Sequence, residues 1–309
     1  HRFHPLDFLK SQSFFRSCRA CREENVSTAI GILQGSFGRV ALLDMDEPLV
    51  THAHHHCHIL LKVSGANSAF VVRDSLQPLT DRTAVLVNAW EPHAYAPAAD
   101  APGTVILALY IDCAWLACMH RELSVAGHPH FFPHSCVAID AAIRGHADSL
   151  AMEMADGTGV APERIEMQLS DLVLAVLERF SEMRNARRLV CAAAPSMQDR
   201  RIRRAMAILQ QLSGPTHDMR ALAARSGLSR AHFFALFRQC MNMSPTVYAN
   251  ALRMEAAISG LGEDARPIAD LSGRLGFSAQ SHFTRFFRHH LGITPSEYRR
   301  KANRLHWPV

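Results

Sequence analysis

Residues 227–248 and 276–298 carry one pattern twice, and such a repeat leaves the C-terminal third little freedom in how it folds. The first copy reads Gly227-Leu-Ser-Arg-Ala-His-Phe-Phe-Ala-Leu-Phe-Arg238, followed by Ser244-Pro245 and Tyr248. The second reads Gly276-Phe-Ser-Ala-Gln-Ser-His-Phe-Thr-Arg-Phe-Phe-Arg288, followed by Thr294-Pro295 and Tyr298. His232/His282, Phe233/Phe283, Phe237/Phe287, Arg238/Arg288, Pro245/Pro295 and Tyr248/Tyr298 pair at one constant offset of about 50 residues. A short basic helix after a glycine turn, present twice, is the pattern of a duplicated helix-turn-helix.

Helical spacing divides each copy into two faces. Phe233, Leu236 and Phe237, and Phe283, Phe286 and Phe287, fall at i, i+3, i+4 and predict an apolar face turned to a core. The opposite face carries Arg230, Ala231, Phe234, Ala235 and Arg238 in the first copy, and Gln280, Ser281, Thr284, Arg285 and Arg288 in the second. Arg can take guanine O6 and N7 together, Gln can take adenine N6 and N7, and Thr or Phe can meet a thymine methyl. The plainer alternative is a helical domain with phenylalanine cores and a solvated arginine face. The copies share their stripes and differ on their outer faces, which favours two readers of DNA.

Ser244, Pro245 and Gly260 bracket a helix of about 16 residues, roughly 24 Å long. A rod of that length could set two recognition helices near one DNA turn apart, about 34 Å, on a bipartite site. Charge agrees: from Ser196 onward there are about 17 Arg and Lys against about 7 Asp and Glu, while the rest of the chain is net acidic. Nearly all the basic excess is arginine, suited to phosphate and base-edge recognition.

Residues 196–304 resemble the DNA-binding domain of the AraC/XylS family of bacterial transcription regulators. The resemblance rests on the segment from Ile268-Ala-Asp-Leu-Ser-Gly-Arg through Arg288 and on Gly-Ile-Thr-Pro-Ser-Glu-Tyr-Arg299. It implies base-facing positions at Arg230, Ala231, Phe234 and Ala235 in the first unit, and at Gln280, Ser281, Thr284 and Arg285 in the second. It also implies an effector-responsive homodimer that activates transcription from promoter DNA by contacting RNA polymerase. Two departures stand out: Ala235 replaces a polar or basic residue, and Ser272-Gly273 interrupts a stretch that is Ala-rich in the family.

Upstream, short apolar runs at 37–43, 58–63, 69–72, 83–87 and 104–111 lie between Gly, Pro, Asn or Asp breaks and predict a barrel or jelly roll. Helical patterns at 139–155 and 162–184 follow. The second carries Ile165, Leu169, Leu172, Val176, Leu177 and Phe180 on one face, for packing on the barrel or on a second subunit. The expected fold class is α+β: a cupin-like effector and dimerisation domain over 1–185, a linker at 186–197, and a double helix-turn-helix domain over 198–309.

Thr51-His-Ala-His-His-His-Cys-His58 is the most chemically loaded stretch. His52, His54, His58 and Gly65 resemble in spacing the first cupin motif, with His58 at its glutamate position, and His93 sits where the second motif places its last metal ligand. Strand alternation would put His52, His54, His56 and His58 on one face, where imidazoles suit Zn, Ni, Cu or Fe. Three readings stay open: an organic-effector pocket formed by these histidines with Trp90, Glu91 and Tyr95, a transition-metal site at His52, His54, His58 and His93, or histidines with no ligand role. A cupin enzyme fused to a DNA-binding domain is a further alternative, but no acid–base pair stands out apart from Glu91.

Eight cysteines lie without a disulfide-framework spacing and are expected to be core residues or free thiols, with Cys18-Arg-Ala-Cys21 an isolated CxxC. No apolar run reaches the ~20 residues of a membrane helix and no secretory signal is visible, so the expectation is a cytoplasmic protein. The chain opens on His1, and its natural start is expected upstream.

Overall fold

A computed structural model describes residues 27–98, 101–156, 161–191, 199–211, 218–263 and 266–304. Cys18, Cys21 and residues 192–197 of the expected linker lie outside the described residues. Strands β1 (Thr28–Gly35), β2 (Gly38–Met45), β3 (Cys57–Gly65), β6 (Thr83–Val87), β8 (Thr104–Ile111) and β9 (Cys136–Ala138) join β10 (Ala302–Arg304), from the far end of the chain, in one sheet. Its order is β10-β1-β2-β8-β3-β6-β9. A second sheet, β5-β4-β7, is built from β4 (Ser68–Val72), β5 (Ser75–Leu79) and β7 (His93–Ala96).

Both faces of the larger sheet are covered, so its strands are continuous apolar runs rather than alternating ones. All eight residues of β8 are buried. On one face Ile59, Leu61, Leu107 and Leu109 pack with helices α1 (Cys113–Met119), α2 (Ala141–Asp156) and α3 (Pro162–Phe180). On the other, Leu60, Ile106 and Ala108 meet Phe70, Val72 and Tyr95 of the smaller sheet. Ile165, Leu169, Leu172, Val176 and Leu177 of α3 are buried in the first of these cores. That stripe is buried within the chain, against the sheet. Helix α4 (Ala186–Cys191) occupies the start of the segment expected as linker.

The C-terminal region is helical: α5 (Arg200–Gln211), α6 (Met219–Arg225), α7 (Arg230–Met241), α8 (Pro245–Glu263), α9 (Ile268–Arg274), α10 (Gln280–Leu291) and α11 (Pro295–Lys301). Helices α6 and α7, and again α9 and α10, are joined by turns whose Gly227 and Gly276 have φ of +71° and +77°, in the left-handed region open to glycine. Phe233, Phe237, Phe283 and Phe287 are fully buried, each worth about 1.5–3 kcal/mol of apolar burial, while Leu236 and Phe286 sit at the margin of their cores. Helix α8 has 19 residues, about 28 Å of rod, and runs through Ser259 and Gly260. Helix α9 runs through Ser272 and Gly273; Ser272 is 1% exposed.

The second helix-turn-helix shares a core with the barrel. Met254, Ala257, Ile258, Phe287, Leu291 and Tyr298 belong to the same apolar cluster as Ile32, Leu43 and Tyr110. Parallel pairing of Ile32 with Ala302 adds β10 to the sheet edge, covering the otherwise open strand β1. Ala29 N donates to Glu297 Oε1 at 2.8 Å and Gln34 Nε2 to the Tyr298 hydroxyl at 2.6 Å. None of these contacts has a local sequence signal.

Candidate functional site

On α7, Arg230, Ala231, Ala235 and Arg238 are exposed, and Phe234 is half-buried with the Arg230 guanidinium 5.6 Å from its ring centroid. Ser229 caps this helix by accepting from His232 N, and Asn242, with φ of 53°, ends it. On α10, Gln280, Ser281 and Arg285 are exposed and Thr284 is half-buried. Arg288 is also half-buried and donates to Glu47 of the barrel at 2.7 Å. Each recognition helix thus presents a polar or basic face to solvent while its phenylalanines hold it to a core. His232 and His282 are exposed as well, with the His282 ring 3.0 Å from Ser278 Oγ.

Within the barrel the structure brings His52, His54, His58 and His93 together. His52 and His93 form an isolated β-bridge, each backbone N–H donating to the other's carbonyl at 2.9 Å. His54 Nε2 lies 3.2 Å from His58 Nδ1, which lies 3.3 Å from His93 Nε2. The ligand atoms of His52, His54 and His93 lie within 4.8 Å of one another. Sequence alternation would have carried one strand through 52–58, but β3 begins only at Cys57. His54 reaches the cluster from an irregular segment, and His56 turns aside, with Nδ1 3.9 Å from Glu255 Oε1 of α8.

Hydrogen bonding decides which nitrogens are available. His52 Nδ1 donates to Val50 O at 2.9 Å, His54 Nδ1 to His56 O at 3.2 Å and His93 Nδ1 to Glu91 O at 2.8 Å. A carbonyl only accepts, so each of these Nδ1 atoms carries the proton and each Nε2 keeps its lone pair. His58 Nδ1–H can serve only one of the two lone pairs that face it, and His58 Nε2 is buried with no hydrogen-bond partner. Burial, then the neighbouring imidazoles, holds His52, His54 and His58 well below the usual histidine range. Burial likewise lowers His93 to about 4. At neutral pH these are uncharged imidazoles, with the lone pairs of His54 and His93 both facing His58 Nδ1, and neutral imidazole is the protonation state that ligation by a metal requires.

Residues beyond the sequence expectation complete the surroundings. Arg39, Tyr110 and His58 are direct cross-strand neighbours on β2, β8 and β3. The buried Arg39 guanidinium lies 3.9 Å from the Tyr110 ring centroid, and His58 stacks on that ring at 4.1 Å. An arginine within the apolar run of β2 was the one available signal. A 20 Å³ cavity beside His52 and His54 is lined from the other side by Met254 and Glu255 of α8 and His290 of α10. That is room for about one water-sized occupant.

The other residues expected at this pocket do not converge on it. Trp90 packs on Tyr248 of the first helix-turn-helix, with ring centroids 4.9 Å apart. The Glu91 carboxylate is held by Arg73 and by Asn88 N at 3.0 Å. Tyr95 lies against Phe70, its hydroxyl donating to Met45 O at 3.4 Å.

Fold and site together define a chain in which an N-terminal β-barrel region with a histidine cluster is joined to a C-terminal helical region with two helix-turn-helix units. A helix-turn-helix domain family matches residues 222–301. The RCS-specific HTH-type transcriptional activator RclR of Escherichia coli K12 is 30% identical over 100 residues, covering 32% of this chain and 35% of RclR. An uncharacterised HTH-type regulator of Haemophilus influenzae is 29% identical over 109 residues, covering 35% of this chain and 36% of that protein. The chain thus matches about a third of the length of these relatives. Similarity to the transcriptional activator RhaR of Yersinia pseudotuberculosis is 23% over 261 residues and covers 82% of this chain and 86% of RhaR. The apo ToxT K231A structure from Vibrio cholerae shares the fold across 87% of this chain and 98% of its own, with a TM-score of 0.53 at 12% identity. Residues 222–301 thus carry a helix-turn-helix domain of the AraC type, similar to those of these transcription regulators. No helix among the described residues is long and apolar enough to cross a membrane.

Proposed function

We propose that this chain is a transcription regulator, not an enzyme: it reads bipartite promoter DNA with α7 and α10 and answers to a divalent transition-metal ion held in the barrel. Base-facing roles go to Arg230, Ala231, Phe234, Ala235, Gln280, Ser281, Thr284 and Arg285, and phosphate contacts to Arg238 and Arg288. His52, His54 and His93, with His58 beside them, would hold the ion, which supplies positive charge to converging lone pairs. The chain acts in the cytoplasm as a homodimer and activates transcription through RNA polymerase, as its family resemblance implies.

The observation that carries the coupling is the cavity between domains. His52 and His54 face Met254, Glu255 and His290 across 20 Å³, so an occupant of the cluster is felt directly by the helices that carry the DNA-binding units. An organic effector would need the two domains to part, whereas an ion needs only the imidazoles. The test is the metal content, by mass spectrometry, of untagged protein purified without a metal column, paired with promoter binding before and after chelation. About one ion per chain, lost together with regulated binding in a His54→Ala/His93→Ala variant, is the expected result. Metal-free protein that takes up no Zn, Ni, Cu or Fe overturns the metal assignment and leaves the DNA-binding reading to be judged by promoter affinity alone.

A further inference from the structure

Cys57 and Cys113 meet on the face of β3 opposite the histidine cluster. Their Sγ atoms are 3.8 Å apart, the one thiol–thiol contact among the described residues. Cys57, the first residue of β3, is 1% exposed and donates to Ala126 O at 3.2 Å. Cys113, the first residue of α1, is partly exposed and directs its Sγ to His55 O at 3.6 Å. Asp112 fixes the position of Cys113 by accepting from Ala114 N and Trp115 N at 2.6 and 3.1 Å. One sulfur is therefore accessible, the other lies behind it, and both sit on anchored backbone.

We propose that Cys113 and Cys57 form a peroxide-reactive dithiol that closes reversibly to a disulfide joining α1 to the barrel. The Cys113 thiolate attacks one oxygen of hydrogen peroxide; the O–O bond breaks, and the departing hydroxide takes a proton to become water. Cys113 is then a sulfenic acid. Cys57 sulfur attacks the Cys113 sulfur, the S–O bond breaks, and the leaving oxygen takes the Cys57 proton as a second water. Two thiols lose two electrons and two protons, and the peroxide is reduced to two waters.

The division of roles follows from the surroundings. Cys113 carries the accessible sulfur at the start of α1 and Cys57 lies 1% exposed behind it; once Cys113 ionises, the single Cys57 S–H can turn from Ala126 O to the Cys113 sulfur, which holds the Cys113 thiol below the ordinary cysteine value. A lowered, accessible thiol beside a second sulfur is the arrangement that favours sulfenic acid formation followed by resolution. Closing from 3.8 Å to a bond of about 2.05 Å needs a shift of under 2 Å, within reach of side-chain rotation. Cys118, though exposed, has no sulfur in contact among the described residues and serves as an internal control.

The test treats the reduced full-length chain with hydrogen peroxide, blocks the remaining thiols under denaturing conditions and maps the products by mass spectrometry. Cys113 and Cys118 share a tryptic peptide, so fragment-ion sequencing separates them. The expected product has a Cys57–Cys113 link, two fewer blockable thiols and full reversal by dithiothreitol. Cys57→Ser should accumulate sulfenic acid at position 113, trapped by a cyclic 1,3-diketone, and Cys113→Ser should slow oxidation of Cys57 about tenfold or more. Oxidation of Cys118 ahead of Cys113, scrambled pairings, or an unreacted pair in millimolar peroxide overturns the proposal. Mapping of the unmodified chain decides the matter even where a variant fails to fold.

Discussion

Arg288 of the second recognition helix donates through Nη2 to Glu47 Oε1 of the barrel at 2.7 Å. A side chain at a proposed phosphate-contact position is thereby tied to the barrel. Both side chains are roughly a third exposed or more, so the pair is worth at most about 1 kcal/mol. Glu47→Gln should release Arg288 and tighten binding to every duplex about two- to fivefold, without changing sequence preference. Anisotropy titrations on promoter and scrambled DNA measure this; a gain on one sequence alone would show that Arg288 reads bases.

Arg285 is exposed on α10, one turn beyond Ser281. Its replacement by Ala should cost about 1–3 kcal/mol on the cognate site and relax preference at one base pair. Arg238→Ala should instead weaken cognate and random DNA alike, as loss of a phosphate contact does. Equal losses on both DNAs for Arg285→Ala would sink its base-reading role.

In metal-free protein the buried imidazoles make stability depend on pH. His93 titrates near 4 in the folded chain against 6.5 when unfolded, so between these values only the unfolded state binds the proton. Its contribution is present above pH 6.5 and is lost as pH falls toward 4, on the order of 3 kcal/mol in all. His52, His54 and His58 are shifted in the same direction and steepen the loss. Urea midpoints from pH 7.5 to 4.5 should fall steadily; a flat profile would mean that the cluster is not buried in solution.

Two glycines separate backbone strain from packing. Gly227 has φ of +71° with nothing within 4 Å of an added Cβ, so Gly227→Ala should cost only about 1–2 kcal/mol for the left-handed residue. Gly292 has φ of +82°, and its Cβ would come within 2.8 Å of Met45 Cε on the barrel. Gly292→Ala should add about 0.5–1.5 kcal/mol to the left-handed cost for turning the flexible Met45 side chain out of its place. Thermal unfolding should rank Gly292→Ala below Gly227→Ala; the reverse order would mean that the domain interface yields freely.

Legibility in the sequence followed the range of the interactions. The phenylalanine stripes, the rod and the five strongest strands all express periodicities within a few residues, and each has its counterpart in the structure. Strands β1, β5, β7, β9 and β10 escaped that reading. Ser75–Leu79 is largely exposed, while Cys136–Ala138 and Ala302–Arg304 have three residues each, so their pairing depends on neighbours remote in sequence. Four histidines were legible through spacing, but Trp90 and Tyr95 were assigned to their pocket by proximity in sequence and turn elsewhere.

By itself the sequence determined the duplicated helix-turn-helix, its basic outer faces and the presence of a histidine-bearing barrel, because repeats and periodicities are written locally. Only the tertiary structure decided that Met254, Glu255 and His290 close over His52 and His54, that Arg39 is buried on Tyr110, and that Cys57 meets Cys113. Those contacts join segments far apart in the chain. Their partners are selected by shape, burial and hydrogen-bond satisfaction in the assembled core, which no short stretch of residues encodes.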